Sequence, residues 1–316
     1  KKTFFSLAKE NGVDIFYEAA VAGGIPIIRS LKVGFAANKI TSLKGIVNGT
    51  TNYILTKILK EKKDFDVILK QAQALGLAEA DPTMDVSGLD AAYKLVLLAA
   101  VAFKVDISIE DVFYEGIESI TLDDLLYANE LGYSIKLLAN GCVSDNDRYF
   151  FHVYPALVLY DHPLAHIHDE TNAVFVYGDA VGEALLSGKG AGGSPTASAV
   201  VSDIIDIGFD HQQKPNRRNL EVDLRSVQTS SIDEASFSYF CRLNVQDQPG
   251  VLEKISGILS QSSVSISRML QKNITAGQAM LILITHEVKE SAFKQALTQL
   301  DAFDDVDVVH PFIRVA

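Results

Sequence analysis

The chain has 316 residues, 48% of them hydrophobic and 22% charged, with a formal net charge of −12. That length supports a sizeable core and about two domains, and the acidic balance argues against nucleic acid or an anionic membrane surface as a partner. No apolar run reaches the roughly 18 residues of a spanning helix, and Cys142 and Cys241 form no C-x-x-C pair, so neither a disulfide framework nor a cysteine metal site is indicated and a reducing cytoplasm fits.

The first elements predicted are a helix from Lys2 to Asn11, closed by Gly12, and a strand from Val13 to Val21, which together make one αβ unit. The chain opens on that helix with no Met and no strand ahead of it, as though the sequence began partway through a domain. Beyond the strand, AGGIPIIRSL holds two glycines that permit close backbone approach, and a helix is expected near Pro26. Lys39 to Asn48 alternates apolar and polar residues and reads as a strand running into Gly49, Thr50, Thr51 and Asn52. That turn could cradle a carboxylate or phosphate on backbone N–H groups, or simply cap the helix that starts at Tyr53. Helices follow over Tyr53 to Lys63 and Phe65 to Leu75, with Lys60, Lys62 and Lys63 as a solvated, dipole-favoured tail.

Gly76 to Phe103 concentrates the chemistry. Glu79, Asp81 and Asp85 lie in a Pro-containing connection, and Ser87 with Asp90 resembles a helix cap ahead of an apolar helix from Gly88 to Phe103. Asp90 and Lys94 are spaced i, i+4, so they share one face and can reach the same small volume. The apolar run from Leu95 to Val101 leaves that helix almost no polar face, so both charges should be partly desolvated, which is costly unless they are paired or used. A surface loop followed by an ordinary ion pair fits the same spacing.

Further along, a strand is expected over Glu115 to Ile120, a helix over Leu122 to Leu131, and strands over Ser134 to Gly141, Phe150 to Leu157 and Ala173 to Gly178, a mixed α+β domain. Asp161, His162, His166, His168 and Asp169 could ligate zinc but lack a fourth ligand at a recognised spacing, and a polar loop is the favoured reading. Ser187 to Ser198 reads as a glycine-rich loop before a helix through Ala199 to Ile207, a place for an anion or a flexible turn. His211 to Ser231, with Lys214, Arg217 and Arg218, lacks periodicity and reads as a linker. From Phe237 the order is βαββαβ, with a ligand-sized turn at Asp247-Gln248-Pro249-Gly250.

With these residues in view, YEAAVAGGIPII, GIVNGTTNYIL, GLAEADPTMDVSGLDAAYKL and GAGGSPTASAVVSDI resemble, in order, motifs of the homoserine dehydrogenase family, and the last domain resembles an ACT domain with DQPGVL as its ligand turn. The resemblance implies an α+β architecture: residues 1–25 a remnant αβ unit of a Rossmann-type dinucleotide-binding domain, 26–210 a mixed-sheet substrate and dimerisation domain, 211–236 a linker, and 237–316 the ACT domain. It also implies NAD(P)-dependent interconversion of L-aspartate 4-semialdehyde and L-homoserine in threonine, methionine and isoleucine biosynthesis.

By matched position, Glu79, Asp85 and Asp90 would hold substrate, Lys94 would move the proton, and Gly49 and Thr50 would line the pocket. Gly190, Ala191, Gly192 and Gly193 would lie against NADP or NAD. Glu18 with the backbone of Val21, Gly23 and Ile25 would form a structural sodium site, and Asp247, Gln248, Pro249, Gly250, Val251 and Leu252 would bind a regulatory amino acid, L-threonine by resemblance. A homo-oligomer is implied, with no nucleic acid and no membrane as partner. The family's glycine fingerprint and a second lysine would precede Lys1, so the resemblance reads the chain as a fragment whose turnover alone is left open. Lys189 stands where the family often has Pro. A non-catalytic amino-acid sensor, and a hydrolase using Glu79 and Asp90, are the competing readings.

Overall fold

The computed structural model describes residues 2–144, 147–213, 224–275 and 277–316. In chain order the elements are α1 (Lys2–Asn11), α2 (Ile27–Arg29, running on as a π turn over Ser30–Gly34), β1 (Ile40–Ile46), α3 (Gly49–Glu61), α4 (Phe65–Ala74), α5 (Thr83–Val86), α6 (Leu89–Ala102), β2 (Phe113–Tyr114), α7 (Leu122–Glu130), β3 (Tyr133–Val143), β4 (Tyr149–Leu159), β5 (Thr171–Gly178), β6 (Gly182–Lys189) and α8 (Gly193–Gln213). The second half adds β7 (Ser236–Phe237), β8 (Tyr239–Gln246), α9 (Val251–Gln261), β9 (Ile266–Thr275), β10 (Gln278–Thr285), β11 (Val288–Lys289), α10 (Glu290–Asp301) and β12 (Val306–Val315). The expected βαββαβ order is present as β8, α9, β9, β10, α10 and β12.

Ten strands form one mixed sheet in the order β6-β5-β1-β3-β4-β12-β8-β10-β9, with β2 pairing β4, and β7 and β11 form a separate two-stranded sheet. The seam between its halves is a short parallel register, Arg314 beside Ala156 and Val315 beside Leu157. Strand alternation explains why the C-terminal half is not a free appendage. Tyr239, Cys241 and Leu243 of β8 and Leu281 and Leu283 of β10 pack on Ile255, Phe293 and Leu297 of α9 and α10. The alternate residues Phe240, Met280, Ile282 and Ile284 join the core that holds Leu125 and Ala128 of α7. Both faces of this sheet are therefore buried, and each large apolar side chain so covered contributes roughly 1.5–3 kcal/mol.

Two arginines fix the same junction. Arg242, 3% exposed, places Nε 2.7 Å from Asp124 Oδ1 as an ion pair and donates through Nη2 to Thr121 Oγ1 at 3.2 Å. Arg314, 1% exposed, donates through Nε and Nη2 to Glu290 at 2.6 and 2.5 Å and through Nη1 to Glu115 Oε2 at 2.6 Å. Its guanidinium carbon lies 4.8 Å from the ring centre of Tyr154 and 5.2 Å from that of Phe113. A delocalised cation suits an aromatic enclosure better than an ammonium would.

Several segments differ from the sequence expectation. Val13 to Val21 is not a strand: no described strand runs beside it, so its backbone has no ladder, and it closes in a 3-10 turn at Glu18–Ala20. Over Glu115 to Ile120 only the preceding Phe113–Tyr114 pairs, because Gly116 packs directly on the backbone of Val86 and Ser87. Part of the glycine-rich stretch is strand β6, which pairs β5 from Thr171 opposite Lys189 to Gly178 opposite Gly182. The helix after Asn48 starts at Gly49, not Tyr53, and α6 is entered through Gly88 at φ +83° without a side-chain cap. Within the expected linker, Lys214, Arg217 and Arg218 lie outside the described residues. Arg225 is laid against the first domain, its N–H donating to Lys104 O at 3.0 Å and its O accepting from Asp106 N–H at 2.9 Å.

Arg314→Ala leaves Glu290 buried without its fork, and a stability loss of about 3–5 kcal/mol is expected from urea unfolding. Burial pushes the Glu290 carboxyl up, but Arg314 and Lys294 outweigh it and hold it below the ordinary value. A depressed carboxyl contributes stability that is complete above the unfolded pKa of about 4.3 and is lost as pH falls through the folded value. Wild type should therefore lose stability on acidification faster than Glu290→Gln, and parallel urea midpoints from about pH 5 to pH 3 would contradict this.

Candidate active site

The site is built where β1 ends. Asn48 is the N-cap of α3: its Oδ1 accepts from Thr51 N–H at 2.9 Å. Capping fixes the carboxamide, so its nitrogen can point only one way. Nδ2 donates to Asp85 Oδ1 at 2.7 Å and to Asp90 Oδ2 at 2.8 Å, tying α5 to α6. Lys94 Nζ donates to the same Asp90 Oδ2 at 2.6 Å and to Val47 O at 3.0 Å. The side chains of Lys94 and Asp90 are 23% and 28% exposed, so the pair is half-buried yet open on one side. An ammonium held by one carboxylate and one carbonyl keeps a third donor position for a ligand.

The α5–α6 turn is held from below. Ile117 N–H donates to Val86 O at 2.8 Å, and a Cβ on Gly88 would come within 2.9 Å of Glu115 O. The strap 115–117 thus clamps the turn between the two aspartates, and Glu115 is the residue that Arg314 grips. Thr50 donates to Leu77 O at 2.7 Å, which fastens the start of α3 to the loop carrying Glu79. Glu79 itself is exposed; its carbonyl accepts from Gln73 Nε2 at 3.1 Å, and its carboxylate stands outside the hydrogen-bonded group of Asn48, Asp85, Asp90 and Lys94.

The glycine loop is short, running from Gly190 to the start of α8 at Gly193. It meets the turn after Val21: a Cβ on Gly23 would lie 2.2 Å from Gly190 O, and Gly24 N–H donates to Lys189 O at 3.0 Å. Gly193 has open space where a side chain would be. A bare backbone at the N-terminus of a long helix fits a nucleotide cofactor's approach.

Two of the expected sodium ligands also make hydrogen bonds within the protein. Both oxygens of Glu18 accept backbone N–H groups, from Ile28 and Arg29 at 2.8 Å each, and Ile25 O accepts from Ile27 N–H at 2.7 Å. Glu18 is a buried anchor for α2, with its carboxyl pushed up by burial. No step is routed through a cation. In the histidine loop, His162 Nδ1 accepts from Leu164 N–H and Asp169 pairs with Lys57 and Lys60. No group of three or more potential metal ligands occurs among the described residues. In the C-terminal domain, Asp247 N–H donates to Gly277 O at 2.9 Å, its Oδ1 accepts from Gln271 Nε2 at 3.3 Å, and Gly250 enters α9 at φ +92°. Val251 is buried there and Leu252 is exposed.

Residues 239–305 match the ACT domain model, which places a βαββαβ module behind the domain that carries the Asp90–Lys94 pair. Residues 26–205 match the model described as homoserine dehydrogenase, and the chain belongs to the homoserine dehydrogenase family. Homoserine dehydrogenase of Bacillus subtilis is 41% identical over 310 residues, covering 98% of this chain and 71% of that relative. The crystal structure of a homoserine dehydrogenase from Thiobacillus denitrificans, 41% identical, aligns with a TM-score of 0.93 over 99% of this chain and 72% of that one. A hyperthermophilic archaeal homoserine dehydrogenase in complex with NADPH, 33% identical, aligns at 0.56 over 65% of this chain and 59% of that one. Family membership sets aside the sensor and hydrolase readings.

Asn48 is the site residue missed from sequence; its signal was an amide directly ahead of Gly-Thr-Thr at a strand end, a favoured cap. Asn48→Ala should lose about 1 kcal/mol of stability with the cap. Asn48→Asp keeps an acceptor for Thr51 but removes the Nδ2 donors and places a third carboxylate beside Asp85 and Asp90. It should weaken L-homoserine binding and also lower the melting temperature, since three carboxylates then share one half-buried volume. Unchanged binding by calorimetry would remove the bridging amide from the site.

Proposed function

We propose that this chain supplies the substrate-binding, proton-transferring and regulatory parts of the interconversion of L-aspartate 4-semialdehyde and L-homoserine. The observation that supports this most directly is the Lys94 ammonium 2.6 Å from Asp90 Oδ2, in a cluster that Asn48 extends to Asp85. When bound, NADP or NAD supplies or receives the hydride at the substrate's terminal carbon. Reduction of the aldehyde builds negative charge on its oxygen, and Lys94 donates a proton there; in the reverse direction it takes the hydroxyl proton. Asp90 and Val47 O hold Nζ in place, so little reorganisation is needed as charge develops.

The substrate's ammonium is met by carboxylates, with Glu79 closing from the rim and Asp85 from within, and Gly49 and Thr50 form the wall. Gly190 to Gly193 lie along the cofactor, in keeping with the NADPH complex of the archaeal relative. L-Threonine binding at Asp247 to Leu252 and assembly into a homo-oligomer belong to the same reading. The two free cysteines accord with a cytoplasmic setting.

Lys94→Met in the full-length polypeptide should reduce turnover by roughly 10²–10⁴ while leaving the fold intact, as checked by circular dichroism. Activity within about tenfold of wild type would exclude Lys94 as the proton donor. Calorimetry with L-homoserine tests the pocket separately, and binding retained by Glu79→Gln would remove Glu79 from it.

A further inference from the structure

One edge of β4 carries two strands. β2 pairs there at His152 and Val153 and β12 at Ala156 and Leu157, so Pro155 lies where one chain leaves and the other arrives. Glu115 N–H donates to Val153 O at 2.8 Å, but proline has no N–H with which a ladder could continue. On its other edge, β12 loses register with β8 between Val309 and Ile313. Two interrupted ladders meet, and a cavity of about 350 Å³ opens between the strap 115–120 and residues 310–313.

This cavity lies at the seam between the two domains, and its volume falls in the range of small-ligand sites. Ile120 and Phe312 give it an apolar wall, and Glu115, Glu118, Ser119 and His310 supply polar groups. Its rim is reachable from water: the Glu115 side chain is 44% exposed, and Glu118, Ser119 and His310 are exposed as well. Glu115 accepts from Arg314 Nη1, yet the same guanidinium is forked onto Glu290. Glu118 has neither hydrogen bond nor ion pair among the described residues. The lining therefore carries surplus negative charge beside hydrocarbon. Electrostatic complementarity calls for a cation, and the wall calls for an apolar chain attached to it. A carboxylate on the same ligand would be repelled by the two glutamates.

We infer that this cavity is a binding site for a small primary alkylammonium compound, with its ammonium at Glu115 and Glu118 and its chain against Ile120 and Phe312. The site is distinct from the Asp90–Lys94 cluster and from the turn at Asp247 to Leu252. Its ligand touches the strap whose Ile117 N–H holds Val86 O, between the two aspartates.

The full-length polypeptide is titrated with 3-methylbutylamine, and binding is followed by saturation-transfer NMR. Two compounds with the same chain serve as comparisons: 3-methylbutan-1-ol, which lacks the charge, and L-leucine, which adds a carboxylate. The amine should bind about tenfold more tightly than either. Glu118→Gln should weaken the amine by about fivefold, as expected for one partly exposed ion pair. Ser119→Trp, which fills the mouth from an exposed position, should abolish binding, and Asp247→Ala at the ACT turn should leave it unchanged.

Absence of saturable binding to wild type up to about 10 mM overturns the proposal. So does an alcohol or L-leucine that binds as well as the amine. Binding that survives Ser119→Trp with the fold intact by circular dichroism overturns it too, and if Asp247→Ala then removes that binding, the ligand belongs to the ACT turn.

Discussion

The carboxamide of Asn48 is the interaction on which the rest of this site depends. Two carboxylates, Asp85 and Asp90, approach one another near the end of β1, and like charges at that range repel unless something of opposite polarity lies between them. Asn48 Nδ2 fills that position, and Lys94 Nζ adds a full positive charge on Asp90. The amide can do this because its oxygen is committed elsewhere, as acceptor for Thr51 N–H at the start of α3. An ordinary helix cap thereby sets the spacing of charged groups on two other helices. The cluster is assembled from local rules, a strand end, a cap and an i, i+4 pair, made to coincide.

The second constraint comes from outside the site. The turn from Val86 to Gly88 is fixed on one side by Asn48 through the flanking aspartates and on the other by the strap 115–117. Glu115 in that strap is held by Arg314 of the last strand, which is bound in turn to Glu290 at the start of α10. The ACT sheet also buries both faces, one on its own helices and one on the α7 core. It cannot swing as a tethered module would without exposing apolar surface. Arg314 to Glu115 and the strap 115–117 make a continuous chain of contacts from the last strand to the turn between the aspartates.

What could be read from the sequence was whatever local periodicity or spacing dictates. Asp90 and Lys94 meet because i, i+4 residues on a helix must, and α4, α6, α7 and the βαββαβ order follow from apolar period and turn residues. Elements that depend on a distant partner were not legible. Val13 to Val21 has strand composition but no described strand beside it, and β6 is a strand despite its glycines because β5 supplies a full ladder. Glu18 also anchors α2, its carboxylate accepting the N–H groups of Ile28 and Arg29, ten and eleven residues on. Asn48 and Asn172 are single amides whose neighbours come from far along the chain, and no window of sequence contains those neighbours.

The two halves of the proposed site are made of different materials, and this decides how each responds to change. The substrate half is built from charged side chains held by hydrogen bonds, so its geometry follows from charge balance and donor count. The cofactor half is built from backbone: Gly23, Gly190 and Gly49 bring main chain within distances that leave no room for a Cβ, and the buried Asn172 amide lies against Gly190 and Gly49. In the first half a substitution alters electrostatics and can be tuned by a neighbouring charge. In the second even one methyl group at Gly190 would collide with a buried amide 2.0 Å away, with rigid strand on one side and the 22–24 turn on the other. A packed interior has no cheap way to move either. Glycine at these seams is thus a requirement of volume before it is one of flexibility.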